Sequence, residues 1–484
     1  MASVLDSDRF VCPVCSVVSP DMPSSDPIAS VVAALSDVLG DRVTTSAAAR
    51  EHHGDDLSFH PGAHPDVVVF PRSTDEVQQV VKICAQHGVP MIPYGAGTSL
   101  EGHIHALHGG VCIDLQQMNK IVRVSPEDLD ATVQAGVTRE QLNHHLHDQG
   151  LFFPVDPGAN ASLGGMASTR ASGTNAVRYG TMRENVMALR VVTATGEVID
   201  TARRARKSSA GYDLTRLFVG AEGTLGVITE VTVRLQGIPE HISAAVCAFE
   251  TLRGTVDAVI ETIQLGVPIA RIELLDPLQV DACNRHCGLD NPVAPTLFLE
   301  FHGSERSVAE QVETVQRICA EHGGQGFRWA SDHMGRDELW KARHQAYWAG
   351  LALRPGCSAM TTDVCVPISR LSDCLTETHA DLEASGLYGP VVGHVGDGNF
   401  HVLLLLDPED AEERQRAEAF HERLVTRALA NDGTCTGEHG VGCGKIRYVE
   451  QELGPAVELM RAIKRALDPD GLMNPGKVVR LEPA

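Results

Sequence analysis

The alternation of apolar and polar residues predicts a βαβ unit near the start of the chain. Ile28 to Leu39 is apolar at helical spacing, and Gly40 ends that pattern. Asp66–Phe70 is a short apolar run that predicts a buried strand. Ser73–Glu76 has the form of a helix capping box, and the apolar face after it contains Val77, Val80, Val81 and Cys84. Val89–Ile92 predicts the next strand, which completes the unit.

Further along, short strands follow one another without a helix between each pair, which indicates an α+β fold. The predicted strands are Gly110–Asp114, Ile121–Val124, Ala131–Ala135, Arg190–Thr193 and Gly226–Leu235. Gln236–Glu240 predicts a domain boundary. Beyond it, helices are predicted at Arg253–Leu265, 305–322, 370–385 and 408–430, with a strand near Thr296–Phe301. We therefore expect two domains, at 61–240 and 241–484, after a flexible arm (1–27) and a helical segment (28–60). The second domain should be an antiparallel sheet covered by helices.

Composition narrows the possible classes of protein. The 484 residues are 43% hydrophobic and 21% charged, as in an ordinary soluble globular protein. The formal charge of −23 excludes nucleic acid and anionic lipid surfaces as general partners, because both would be repelled. The basic run Arg203–Lys207 predicts a solvated loop.

Cysteine usage and the N-terminal sequence favour a reducing compartment. Thirteen cysteines are an odd count in a long chain, which argues against a disulfide framework. Cys12 and Cys15 form a lone Cys-x-x-Cys pair that cannot complete a zinc or iron–sulfur site. The N-terminal residues resemble neither a signal peptide nor a transit peptide, and no segment has the apolar length of an integral membrane helix. We expect a cytoplasmic protein, with peripheral attachment to a membrane left open.

Three segments are dense in glycine, alanine and serine: Tyr94–Gly102, Phe153–Gly180 and Leu217–Thr229. Glycines allow successive backbone N–H groups to face one concavity, which suits a pyrophosphate. The first segment alone is equally consistent with a tight turn, and the second alone with a small-residue packing seam. The three together favour a dinucleotide cradle. No helical pattern follows the first segment, so it is not the nicotinamide fingerprint.

These segments resemble, in the same order, the FAD-binding domain of the vanillyl-alcohol oxidase/p-cresol methylhydroxylase (PCMH) superfamily, over about Pro61–Glu240. The resemblance implies a PCMH-type fold and bound FAD. His103 lies in Leu-Glu-Gly-His, which does not match the covalent pattern, so non-covalent FAD is expected. The positions carried over as cofactor-binding are Tyr94, Gly95, Ala96, Gly97, Thr98, Ser99, Leu100, Pro157, Gly158, Ala159, Ser162, Gly164, Gly165, Ser168, Gly173, Gly180, Glu222, Gly223, Val227 and Ile228.

The second half contains a candidate metal site. His394 and His401 lie in a glycine-rich loop that can fold back on itself, and Glu438 adds a carboxylate further on. Two imidazoles and a carboxylate suit a divalent zinc or manganese ion with open positions. The alternative is a set of unrelated histidines. His439 is the candidate base, and Arg343 is the candidate guanidinium for a substrate carboxylate, although a solvated helix arginine is equally consistent with its context.

The motifs Trp340–His344, Leu353–Cys357, Thr362–Ser369, Gly393–His401, Gly437–Gly442 and Leu472–Lys477 narrow the resemblance to the FAD-linked D-lactate dehydrogenases, relatives of the glycolate oxidase FAD subunit and D-2-hydroxyglutarate dehydrogenase. Family members use the positions of His394, His401 and Glu438 as metal ligands and that of His439 as the base. Asn474 lies where the C-terminus of family members returns to the flavin. The apolar Val402–Leu404 after His401 favours a short acid such as D-lactate over a dicarboxylate.

We therefore expect oxidation of a D-2-hydroxy acid, with hydride transfer to flavin N5 and electrons passed to a cytochrome, a quinone or an electron-transfer flavoprotein. Glycolate and D-2-hydroxyglutarate are the alternative substrates. From another class, the fold also supports a transferase of the alkyl-dihydroxyacetonephosphate synthase type, against which the metal site argues. A homodimer is the expected assembly.

Overall fold

The computed structural model describes residues 27–481. Its α-helices are α1 (Pro27–Leu39), α2 (Ala47–His52), α3 (Thr74–His87), α4 (Arg139–Leu146), α5 (Leu163–Thr169), α6 (Ala176–Tyr179), α7 (Met182–Asn185), α8 (Leu214–Phe218), α9 (Leu252–Gln264), α10 (Pro277–Cys287), α11 (Glu305–Glu321), α12 (His333–His344), α13 (Ala346–Ala352), α14 (Ile368–Ala384), α15 (Ala411–Ala430), α16 (Ile446–Leu453) and α17 (Ala456–Leu467). Its strands are β1 (Val43–Thr44), β2 (Val67–Val69), β3 (Met91–Tyr94), β4 (Val111–Asp114), β5 (Ile121–Ser125), β6 (Asp130–Gln134), β7 (Leu151–Phe152), β8 (Val186–Thr193), β9 (Val198–Asp200), β10 (Gly226–Arg234), β11 (Gln236–Gly237), β12 (His241–Phe249), β13 (Ile269–Leu275), β14 (Thr296–Gly303), β15 (Gly324–Ala330), β16 (Ser358–Thr361), β17 (Val364–Cys365), β18 (Val391–His394) and β19 (Asn399–Leu406).

The first sheet has the order β1-β2-β4-β3, with β2, β4 and β3 parallel. The predicted strands on either side of α3 are therefore not neighbours, because β4 lies between them. The predicted capping box is half formed: the Ser73 hydroxyl accepts from the backbone N–H of Glu76. The Glu76 carboxylate instead accepts from Arg72 N–H and pairs with Arg42.

The second sheet is antiparallel, in the order β5-β6-β10-β8-β9. Helix α5 packs its apolar face, including Leu163 and Met166, into the core beside β10. This sheet and the first together form the N-terminal part of the fold. The first small-residue segment follows β3, the second contains α5 and α6, and the third leads into β10.

The third sheet begins with β12, directly after the predicted boundary, and is antiparallel in the order β15-β12-β14-β13-β18-β19-β16, with β17 beside β19. Ala245 and Cys247 of β12 face the core that holds α9, α11, α14 and α15. Ala244 and Val246 face the opposite layer, formed by α10, α12 and α13. The period-2 alternation of a strand thus buries both faces of the sheet between helices, which confirms the predicted α+β class.

The C-terminus returns to the first sheet. Met91 N–H donates to Leu472 O and Asn474 N–H donates to Met91 O, each at 2.8 Å, so residues 472–474 run along the free edge of β3. Within residues 27–481, no helix is long and apolar enough to cross a membrane, and the cysteines are free thiols. Cys12, Cys15 and the predicted arm up to residue 26 lie outside the described residues.

Candidate active site

The three small-residue segments predicted from the sequence meet in space. A Cβ on Gly95 would overlap the Ser162 hydroxyl, so the first segment touches the second. A Cβ on Gly223 would lie 3.0 Å from Pro93, so the third segment touches strand β3 directly before the first segment. The third segment also contacts the second, because Glu222 N–H donates to Ser168 O at 2.9 Å. One surface is therefore built from all three.

The loop of residues 95–101, which follows β3, offers its backbone N–H groups to a ligand. None of these seven consecutive residues donates its N–H to an acceptor in the described part of the chain. Gly97 has φ +66°, in the left-handed region, and a Cβ there would meet the Tyr94 ring. A bend lined by free N–H groups is the arrangement that binds a pyrophosphate, so these residues fit FAD.

The other predicted cofactor positions divide into three kinds. Close backbone packing accounts for Gly164, whose Cβ would clash with Ala135, and for Gly173, whose Cβ would overlap Asp156. The side chains of Val227 and Ile228 are buried in β10. The remaining positions all lie in the second segment: Pro157, Gly158, Ala159, Gly165 and Gly180. Gly158 is exposed, with no atom within 4 Å of an added Cβ.

Asn474 lies between the first and third segments. Its side-chain N–H donates to Glu222 O at 2.7 Å and to His103 O at 3.1 Å. Its Oδ1 is buried and has no partner among the described residues. A buried acceptor without a donor is costly unless something binds there, so Asn474 also fits a cofactor contact.

The predicted metal ligands converge at the end of the third sheet. The hairpin of β18 and β19 pairs Gly393 with Phe400 and His394 with Asn399, so the intervening loop folds back as expected. His394 Nε2 lies 3.1 Å and His401 Nε2 lies 3.3 Å from the same oxygen, Glu438 Oε1. The three ligand atoms lie within 4.8 Å of one another.

Both imidazoles are held from behind. His394 Nδ1 lies 2.8 Å from Glu273 Oε1, and His401 Nδ1 lies 3.0 Å from Thr362 O. Acceptors at Nδ1 leave the Nε2 lone pairs facing inward, as metal-bound histidines require. Burial opposes a proton on His394, but Glu273 and Glu438 outweigh it, so the pKa of His394 lies well above its usual value. The same negative surroundings favour a divalent cation.

Arg343 lies behind the ligand cluster. Its Nε donates to Glu273 Oε2 at 2.9 Å and its Nη2 forms an ion pair with the same oxygen at 2.8 Å, so it shares one carboxylate with His394. The predicted contact between Arg343 and a substrate carboxylate stays a prediction. Nη1 has no hydrogen-bond partner within residues 27–481, so it is the nitrogen available for that contact.

His439 stacks on His401, with ring centroids 5.0 Å apart and an interplanar angle of 11°. Its backbone N–H donates to Asp363 Oδ2 at 3.0 Å, and its buried Nδ1 has no hydrogen-bond partner among the described residues. Burial lowers the pKa of His439 below its usual value, and Asp363 only partly offsets this. A neutral imidazole beside the ligands suits a proton acceptor.

Several residues at this site were not predicted: Glu273, Asp363, Glu101 and Lys445. Glu273 follows Arg271 in the otherwise apolar strand β13, and two charges on one face of a buried strand were the available signal. The glycines at 440, 442 and 444 were a second signal in the sequence. In the structure a Cβ at each of them would overlap residues of the N-terminal half.

Comparison with known proteins supports this reading of the two halves. The FAD binding domain family matches residues 65–202, and the family "FAD linked oxidases, C-terminal domain" matches residues 238–478. A probable D-lactate dehydrogenase of Danio rerio is 56% identical, covering 93% of this chain and 92% of that protein. D-lactate dehydrogenase [cytochrome] of Arabidopsis thaliana is 49% identical, covering 93% and 80%. Glycolate oxidase subunit GlcD of Bacillus subtilis is 33% identical, covering 86% and 89%.

Solved structures agree on the fold. p-Cresol methylhydroxylase superposes with a TM-score of 0.75 at 19% identity, covering 94% of this chain and 97% of that one. Alkyldihydroxyacetonephosphate synthase gives 0.74 at 21% identity, covering 95% and 87%. The PCMH-type fold predicted from the sequence is therefore confirmed.

The chain belongs to the FAD-linked oxidases, in the group that contains the D-lactate dehydrogenases. It is accordingly an FAD-dependent oxidoreductase, as the sequence motifs predicted. The prediction of a cytoplasmic protein is wrong. The relatives from Danio rerio, Arabidopsis thaliana, Kluyveromyces lactis and Saccharomyces cerevisiae are all named as mitochondrial. The prediction relied on the acidic N-terminal residues and their lack of resemblance to a targeting peptide, and the names of these relatives contradict it.

Proposed function

We propose that this protein oxidises D-lactate to pyruvate. The observation that carries the proposal is the cluster of His394, His401 and Glu438 with His439 stacked against it, next to the loop of free N–H groups. The names of the most similar relatives support D-lactate as the substrate. Apolar residues after His401 in β19 favour a short acid over a dicarboxylate.

The cluster would hold a divalent cation, zinc or manganese, through His394 Nε2, His401 Nε2 and a Glu438 oxygen. When bound, such an ion acts as a Lewis acid that lowers the pKa of the substrate hydroxyl and orients the substrate. FAD, held non-covalently by the three small-residue segments, would supply the acceptor for the hydride. His439 receives the hydroxyl proton, and its stacking on His401 keeps the imidazole within reach of a substrate held at the cluster. Arg343 Nη1 is the donor available to the carboxylate.

The electron acceptor we favour is a cytochrome, as the name of the Arabidopsis relative suggests, and a mitochondrial location is consistent with it. A transferase of the alkyldihydroxyacetonephosphate synthase type shares the fold. The histidine cluster favours the dehydrogenase, because it can hold a metal ion that activates the hydroxyl of a hydroxy acid.

The test is a rapid-mixing experiment on the FAD-loaded protein with Mn²⁺ and no oxygen. D-lactate should bleach the flavin faster than glycolate, D-2-hydroxyglutarate or L-lactate at equal concentration. Faster bleaching by glycolate or D-2-hydroxyglutarate would mean that this acid, and not D-lactate, is the substrate. If no hydroxy acid bleached the flavin, the proposal would be contradicted.

A further inference from the structure

A chain of buried charges connects the two halves of the protein behind His439. Lys445 is fully buried, and its Nζ lies 3.1 Å from Glu101 Oε1 and 3.4 Å from Asp363 Oδ2. It also donates to Asp363 O at 3.0 Å. Glu101 is 4% exposed and Asp363 is 0% exposed. A buried lysine needs such partners, because an unpaired charge in the interior is strongly unfavourable.

One end of this chain holds the loop of residues 436–442, which carries Glu438 and His439. Asp363 Oδ2 accepts the backbone N–H groups of Glu438 and His439, each at 3.0 Å, and the Thr436 hydroxyl at 2.8 Å. The part of the loop that carries Glu438 and His439 is therefore held by Asp363, whose own charge is balanced by Lys445. Glu222 holds the other end, where it accepts the backbone N–H groups of Val441 and Gly442 at 2.7 and 2.8 Å.

The other end is the last residue of loop 95–101. The Glu101 carboxylate pairs with Lys445, and the Glu101 backbone carbonyl accepts from Cys443 N–H at 3.0 Å and from Gly444 N–H at 3.3 Å. A Cβ on Gly442 would overlap that carbonyl, so the two loops are in backbone contact. The six residues before Glu101 have free N–H groups, and a cofactor that engages them would order the loop up to Glu101.

We infer that Glu101 and Lys445 are positioning residues, which transmit the occupancy of loop 95–101 to the ordering of loop 436–442. A cofactor bound to the first loop fixes Glu101, Glu101 fixes Lys445, and Lys445 with Asp363 fixes the backbone of Glu438 and His439. The inference rests on the proposed function only for the role of His439. The coupling itself follows from contacts that do not involve a substrate.

The test is amide hydrogen exchange at Glu438 and His439, in FAD-free and FAD-loaded protein without substrate. In the wild type, FAD should slow exchange about tenfold or more, the size expected for charge-assisted hydrogen bonds. In Glu101→Gln, which keeps the shape but removes the charge, the slowing should fall below about threefold while FAD still binds. Glu413→Gln is the matched control: Glu413 is also buried and pairs with Arg354 at 2.7 Å, away from both loops. It should behave as wild type.

Equal slowing in Glu101→Gln and wild type would overturn the inference, as would no slowing in the wild type. If Glu101→Gln does not fold, Glu101→Asp keeps the charge but withdraws it from Lys445, and the same outcomes decide. Flavin reduction by D-lactate gives a second readout: the limiting rate should fall at least tenfold in Glu101→Gln, with a smaller change in KM. Wild-type protein that D-lactate cannot reduce would contradict the proposed function, while the exchange result would still decide the coupling.

Discussion

The carboxylate of Glu273 allows the sharpest test of how the candidate metal site is held. Glu273 is 1% exposed, and it accepts one hydrogen bond from His394 and one from Arg343 Nε. Arg343 Nη2 also pairs with it at 2.8 Å. In Glu273→Gln one of the two carboxylate oxygens becomes an amide NH₂ group, which cannot accept a hydrogen bond. Either His394 or Arg343 must therefore lose its acceptor. A hydrogen bond to a charged group contributes about 1.5–3 kcal/mol, which corresponds to roughly a 10- to 150-fold change in an equilibrium constant.

We therefore expect Glu273→Gln to weaken Mn²⁺ binding about 10- to 100-fold, the range seen when a partner of a ligating histidine is removed. The assay is a titration with Mn²⁺ followed by electron paramagnetic resonance, with the flavin spectrum as a check that FAD remains bound. Glu413→Gln should bind Mn²⁺ as the wild type does. Wild-type affinity in Glu273→Gln would refute the reasoning, because it would mean that His394 is oriented by something other than this carboxylate.

Three further changes probe the cofactor loop, the contact between the loops and a buried acid. Gly97→Ala places a side chain at φ +66° against the Tyr94 ring, so FAD should bind about 5- to 30-fold more weakly in an equilibrium titration; unchanged affinity would contradict the pyrophosphate assignment. Gly442→Ala forces a Cβ into the Glu101 carbonyl, so the melting temperature should fall by several degrees, and an unchanged value would contradict the close contact. Burial raises the pKa of Asp276 from 3.8 to about 7, so the folded state keeps a proton that the unfolded state loses and stability falls as pH rises across that interval. Asp276→Asn, which still caps α10, should remove this loss of stability: the variant should be more stable than wild type at about pH 8, by at most about 4 kcal/mol, and no more stable at about pH 4. Denaturant unfolding at both pH values measures the two differences, and an equal difference at both would contradict the raised pKa.

Local sequence pattern located the long, strongly patterned elements of the fold, while several strands and short helices of the second half, among them β13, β15 and α10, were not predicted. The apolar face of Val77, Val80, Val81 and Cys84 is fully buried in α3, and the predicted strands and helices of the second half correspond to β14, α9, α11, α14 and α15. The order of strands was not predictable in the same way. Placement of β4 between β2 and β3 depends on contacts between distant residues, and periodicity carries no information about them.

The same division applies to the site. His394, His401, Glu438 and His439 carry chemistry that can be recognised in the sequence, and the hairpin and loop bring them together. Glu273, Asp363 and Lys445 act by holding these groups, from elements far away in the chain. A buried charge looks like an interruption of an apolar pattern until its partner is known. Arg343 shows the converse, because its sequence context did not reveal that it shares Glu273 with His394.

The central claim is that His439 removes the hydroxyl proton of D-lactate as the hydride passes to the flavin. It is tested most directly by mixing anaerobic, FAD-loaded His439→Gln with D-lactate and following the flavin absorbance. The account predicts that FAD and Mn²⁺ remain bound while the rate of bleaching falls at least about 100-fold, as expected for loss of a general base. Bleaching at the wild-type rate would contradict it.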